Sequence, residues 1–154
     1  MNALEYLFGL EFHGHKFGLD NIRALTDAMG RPQEAFRVLH VAGTNGKGSV
    51  CAMADAALRA AGHRTGLYTS PHLVHLEERF QVNGAPLPTK DVADAIEHVR
   101  AAAERLQANG TLRALPTFFE VATAAAFELF RRARVEIAVL EVGLGGRLDA
   151  TNVA

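Results

Sequence analysis

The chain has 154 residues, 49% of them apolar and 21% charged, enough for one soluble domain with a core of its own. Sixteen basic against seventeen acidic residues leave a net charge of −1 and no basic block, which excludes nucleic-acid binding that runs on phosphate neutralisation. The single cysteine, Cys51, excludes an internal disulfide and a cysteine zinc site. No apolar run approaches about eighteen residues and no basic-then-apolar leader opens the chain, so a cytoplasmic protein without membrane contact is expected.

Residues 2–9 read as a short helix, and Gly9 to Gly18 as a loop carrying His13, His15 and Lys16. Ile22, Leu25 and Met29 give helical spacing from Asp20 to Met29, and Gly30 with Arg31-Pro32 ends it. Phe36 to Ala42 is short, apolar and partly β-branched, a buried strand. After a glycine-rich loop, Ser49 opens a helix through Val50, Met53, Ala54, Ala57, Leu58 and Ala61 to Gly62, with Cys51 as a small buried residue. Thr65 to Thr69 is a second strand, followed by the loop Ser70-Pro71-His72-Leu73. Phe80 to Val82 is a third strand, before a turn at Asn83-Gly84. Thr89 caps a long helix with apolar positions at Val92, Ile96, Val99 and Leu106. Pro116 precedes a helix from Thr117 to Arg132, and Val135 to Val142 is a nearly continuous apolar run, as a central parallel strand requires.

This order predicts an α/β fold with a P-loop-type parallel sheet and flanking helices. The sequence stops two residues after Asn152. A doubly wound domain ordinarily adds strands beyond such a point, and these cover the open sheet edge.

Two glycine loops carry the chemistry. In the first, Gly43-Thr44-Asn45-Gly46-Lys47-Gly48-Ser49 follows a strand and precedes a helix. Backbone N–H groups of such a turn converge on an anion at the positive end of the helix. Lys47 is then placed for the outer phosphates and the Ser49 hydroxyl for a magnesium ion. The loop departs twice from G-x-x-x-x-G-K-[ST]: Val41 replaces the first glycine, and Gly48 separates Lys47 from Ser49. Only Lys16, Lys47 and Lys90 are lysines, against thirteen arginines, so a lysine inside the glycine loop favours phosphate binding over mere solvation.

The second loop, Gly143-Leu144-Gly145-Gly146, follows Glu141. A carboxylate ending an apolar parallel strand lies where α/β ligands bind, and burial demands a partner. That partner is either a magnesium ion with phosphate oxygens or an arginine such as Arg147. Glu136, at the strand entrance, reads as solvated. Thr117 and Glu120 fit a capping box, a reading that stands beside a functional one for Glu120. His13, His15, His72 and His75 lack metal-ligand spacing and read as surface residues.

Gly18-Leu19 with Ile22-Arg23, His40 to Ser49, Gly66 to Leu73, Thr117 to Thr123 and Val139 to Val153 together resemble the folylpolyglutamate synthase/dihydrofolate synthase family of the Mur ligase superfamily. The resemblance implies an ATP-dependent, amide-forming ligase of folate biosynthesis and one-carbon metabolism. A dihydropteroate or folate carboxylate takes the γ-phosphoryl group of ATP, and the amine of L-glutamate displaces phosphate. By the same resemblance Lys47 and Glu141 are catalytic, and Gly43, Thr44, Asn45, Gly46, Lys47, Gly48 and Ser49 bind ATP. Ser70 and Glu141 hold Mg2+, beside the Ser49 hydroxyl read from the loop itself, and Thr117, Phe118, Asp149 and Ala150 line the pterin side, with Phe118 as a stacking surface. The implied partners are small molecules only, and the implied full-length protein is a monomer. Family members run to well over twice this length. The chain is therefore expected to be the first part of the ATP-binding domain, without the glutamate-ligase domain and inactive alone. Two other classes stay open at this level: a nucleotide- or folate-binding module without catalysis, and another P-loop phosphotransferase.

Overall fold

The computed structural model describes residues 2–10, 18–112 and 114–154. The loop with His13, His15 and Lys16 lies outside the described residues. The helices are α1 (Ala3–Gly9), α2 (Asp20–Ala28), α3 (Lys47–Ala60), α4 (Thr89–Ala108) and α5 (Phe118–Arg132). The strands are β1 (Arg37–Val41), β2 (Thr65–Tyr68), β3 (Phe80–Val82), β4 (Ala85–Pro86) and β5 (Ile137–Glu141), and short 3-10 turns span Pro32–Ala35, Leu76–Arg79 and Ala150–Val153.

The strands form one sheet in the order β1-β5-β2-β3-β4. β5 pairs in parallel with both β1 and β2, and β2, β3 and β4 pair antiparallel. The parallel α/β core expected from the sequence is present, with an antiparallel hairpin appended. Asn83 (φ 50°) and Gly84 (φ 78°) form that hairpin's two-residue turn, the left-handed geometry that Asn-Gly tolerates.

β5 ends its chain segment last but lies between the two earlier parallel strands. Its register sets Glu141 opposite Val41 and Leu140 opposite Tyr68. The loops after β1, β2 and β5 therefore leave the sheet at one edge, side by side.

α3 covers one face through Cys51, Leu67 and Val139, flanked by Val41, Ala54 and Leu58. α5 covers the other, with α1, α2 and α4 packed around it. Every residue of α5 from Glu120 to Phe130 is buried, because the helix is enclosed by the sheet and these neighbours. Gly66 makes the approach possible: a Cβ there would sit 2.9 Å from the Phe130 ring. Losing the Phe130 ring would cost about 3–5 kcal/mol.

β1, expected as a buried strand, is an edge strand with none of its residues buried, because it has a neighbour in the sheet on one side only. Two helix starts also differ from the sequence reading. α3 begins at Lys47 rather than Ser49, because Gly46 takes the N-cap position with a left-handed φ of 76°. Thr89 is not the cap of α4 but its first helical residue; Pro88 occupies the N-cap position and supplies no side-chain bond. The box predicted for α5 is present: Thr117 Oγ1 accepts the Glu120 N–H and Glu120 accepts the Thr117 N–H.

Candidate phosphate loop and ligand cavity

The first glycine loop wraps onto the start of α3. Gly43 (φ 151°) and Gly46 (φ 76°) hold backbone angles that side chains disfavour, which turns the chain sharply from β1 into the helix. Lys47 is the first residue of α3, and its Nζ donates to the Gly43 carbonyl at 3.0 Å, lying back over the loop. Ser49 stands two residues further on, exposed in the helix's first turn.

Glu141 ends β5 and is buried at 6% exposure. Its Oε2 accepts the Ser70 N–H at 2.9 Å, and its Oε1 faces the α3 N-terminus, 3.7 Å from where a Gly48 Cβ would be. No described arginine pairs with it, so the alternative ion pair with Arg147 is not formed; Arg147 is exposed. A buried carboxylate with one N–H donor and no described cation fits a divalent ion at this point. Ser70 precedes a cis Ser70–Pro71 bond. The segment beyond it is held by Glu78, which accepts the N–H groups of Leu73, Val74 and His75 at 2.7–3.0 Å. Those bonds, His75's first, hold the exposed Glu78 carboxyl down at about 2.

A cavity of about 640 Å³ opens beside this edge, a volume suited to a fused-ring ligand. Thr117, Phe118, Asp149 and Ala150 all lie on its wall, with the second glycine loop, Phe119, Ser70 and Arg79. The phosphate-loop residues do not line it. Ser70 is the joint: it faces the cavity while its N–H holds Glu141.

Asp149 organises the second glycine loop. Oδ2 accepts the Gly143 and Leu144 N–H groups at 3.0 and 2.9 Å, and Oδ1 accepts the Thr151 N–H at 3.0 Å and the Thr151 hydroxyl. The Thr151 hydroxyl proton is thereby used, so its oxygen accepts from His40 Nε2 at 2.7 Å, which ties β1 to this loop. Burial pulls the His40 pKa below its usual value, with Asp149 acting weakly in the opposite sense. Gly143 also needs to be glycine: a Cβ would stand 2.6 Å from the Phe119 ring.

Glu120 serves as a capping residue, Glu136 is exposed and Cys51 is buried, each as the sequence suggests. Burial pushes the Cys51 thiol up to about 11 and the Tyr68 phenol up to about 12. Arg79 belongs to the cavity wall, although nothing in the sequence singles it out, and His72, read from the sequence as a surface residue, supports it. Arg79 closes a Glu77-Glu78-Arg79 run that looks like a solvated charge cluster. His72 is half-buried and accepts from Arg79 Nε at 2.7 Å rather than standing free on the surface. Among the described residues no group of three His, Cys, Asp or Glu side chains is placed to hold a metal ion.

Fold and site define an α/β domain of the P-loop type with the architecture of Mur-ligase ATPase domains. No family model matches the chain. It is 41% identical over 138 residues to the dihydrofolate synthetase of Saccharomyces cerevisiae, covering 90% of this chain and 31% of that protein. It is 41% identical over 150 residues to the dihydrofolate synthase/folylpolyglutamate synthase of Escherichia coli, covering 97% and 34%. The folylpolyglutamate synthase of Thermotoga maritima superposes with a TM-score of 0.88 at 43% identity, over 99% of this chain and 35% of that one. A bifunctional folylpolyglutamate synthase/dihydrofolate synthase with Mn, AMPPNP and L-glutamate bound gives 0.87 at 34%, over 100% and 36%. The chain belongs to the folylpolyglutamate synthase/dihydrofolate synthase family, and it spans about a third of the length of these relatives.

Proposed function

We propose that this chain is the N-terminal ATP-binding portion of an ATP-dependent ligase that joins L-glutamate to dihydropteroate, a folate, or both. The Ser70–Glu141 hydrogen bond carries the reading, because it couples the phosphate-loop edge to the large cavity. The loop amides and α3 N-terminus receive the phosphates of ATP. Lys47 leaves the Gly43 carbonyl for them, since a phosphate oxygen is the stronger acceptor. Glu141, with the Ser70 and Ser49 oxygens, holds Mg2+, which supplies neutralisation of phosphate charge when bound. Thr117, Phe118, Asp149 and Ala150 hold the pterin side, so that the acid's carboxylate meets the γ-phosphate near Ser70.

Glutamate capture and closure over ATP fall to a domain beyond this chain. The reading also makes the protein cytoplasmic, a monomer at full length, and without nucleic-acid or membrane partners. Among the described residues no helix is long and apolar enough to cross a membrane, and Cys51 is a buried free thiol. The test is calorimetry of the chain with MgATP and with pteroate, alongside an ADP-release assay with dihydropteroate and glutamate. Both ligands bind and ADP release stays at background. Turnover by the 154-residue chain refutes the assignment of a separate ligase domain, and absence of nucleotide binding refutes the whole reading.

A further inference from the structure

The cavity wall contains an unbalanced charge. Arg79 ends the 3-10 turn Leu76–Arg79 and is buried, at 7% exposure. A buried guanidinium is costly unless a counter-charge meets it. None of the ion pairs formed among the described residues includes Arg79. The acids around it are engaged elsewhere: Glu78 by three backbone N–H groups, Glu120 by Thr117, Glu141 by Ser70, and Asp149 by Gly143, Leu144 and Thr151. Arg147, the other cation on the wall, is exposed and keeps its water.

The guanidinium is also held in place. Its Nε donates to His72 Nδ1 at 2.7 Å, and its Cζ lies 5.0 Å from the Phe118 ring centroid. The buried Tyr68 hydroxyl is hydrogen-bonded to the guanidinium as well. With Nε, one face and that bond fixed, the other N–H groups are left for a planar acceptor, at little further cost in side-chain freedom. Its backbone lies next to the phosphate edge, because the Thr69 N–H donates to the Arg79 carbonyl at 3.3 Å and Thr69 precedes Ser70.

We infer that Arg79 recognises the carboxylate of the acid substrate in this cavity, orienting it toward Ser70 and selecting acids over neutral analogues. The inference rests on the folate-type reading of the site. A carboxylate in this position stays ionised, as a nucleophile toward phosphorus must, and neutralises the buried cation.

Calorimetry with pteroate and with its carboxamide on the 154-residue chain tests this, with MgADP affinity and thermal melting as checks of the fold. Wild type prefers the acid. Arg79→Gln weakens pteroate about ten- to a hundredfold, the range for a hydrogen bond to a charged group, and leaves the carboxamide unchanged. Arg79→Lys keeps the charge and restores part of the acid preference. An acid preference that persists in Arg79→Gln, or equal weakening of both ligands, overturns the inference and leaves the folate reading standing. Failure of the wild-type chain to bind pteroate overturns both.

Discussion

Replacing Asp149 by asparagine preserves shape and removes charge, and the structure makes it a severe change. The carboxylate is 5% exposed and accepts from Gly143, Leu144 and twice from Thr151. Asparagine has one oxygen and one NH2. Placed toward Gly143 and Leu144, the NH2 faces two backbone donors; flipped, it faces the Thr151 N–H and hydroxyl. The first orientation loses two of the four bonds; the second loses the Thr151 N–H bond and makes the Thr151 hydroxyl turn to accept, which disturbs its bond with His40; in both the surviving bonds lose their charge assistance. With about 1.5–3 kcal/mol for each hydrogen bond to a charged group, and relaxation of the loop recovering part, the net cost is about 3 kcal/mol. At about 2–4 °C per kcal/mol for a domain of this size, the melting midpoint falls by about 6–12 °C. Circular-dichroism melts and urea titrations of the ligand-free chain measure it, with an unchanged m-value as the sign that only stability moved. A variant melting within about 2 °C of wild type would refute the reasoning and leave Asp149 a role confined to ligand contact.

Other outcomes follow from the same geometry. Lys47→Ala removes one exposed bond to Gly43, so stability falls by less than about 1 kcal/mol while ATP affinity falls at least about tenfold; unchanged affinity by calorimetry counts against the phosphate loop. Glu141→Ala mainly weakens the magnesium dependence of nucleotide binding, which a magnesium titration at fixed ADP reads directly; an unchanged titration removes Glu141 from the metal site. His40 has a lowered pKa in the folded chain, so protonation favours the unfolded state. Stability is then full above the ordinary histidine pKa of about 6.5, declines as pH falls below it, and levels off below the folded value. His40→Gln flattens that decline in urea midpoints, and an equal slope in the variant excludes His40 as its source. Cys51, buried and raised to about 11, resists a thiol reagent near pH 8 until the chain unfolds, and rapid labelling of native protein contradicts its burial.

Much of the fold is visible in the residues themselves. The apolar run at β5, the Thr117–Glu120 box and the Asn83-Gly84 turn each depend on local chemistry, and each forms where the sequence puts it. One error is tertiary: β1 has the composition of a buried strand but lies at the sheet edge. The others are local contests between caps. Gly46 accepts a left-handed angle that lets α3 begin at Lys47, and Pro88 displaces Thr89 by presetting the backbone before α4. The two glycine loops announce themselves because positive φ angles at Gly43, Gly46 and Gly145, and the close approach of Phe119 to Gly143, permit few other residues.

What the sequence by itself determined is the local hardware: a phosphate-type loop, an acidic strand end, a capped helix and a second glycine loop. Only the tertiary structure decided what these groups meet. Threading β5 between β1 and β2 sets Glu141 beside the start of α3 and in reach of the Ser70 N–H, a contact between residues 71 positions apart. It also made Asp149, on the cavity wall, the organiser of its loop, and turned Arg79 from one of a row of charges into a buried cation on the same wall. Burial and long-range pairing set these roles, and neither can be read from neighbours along the chain.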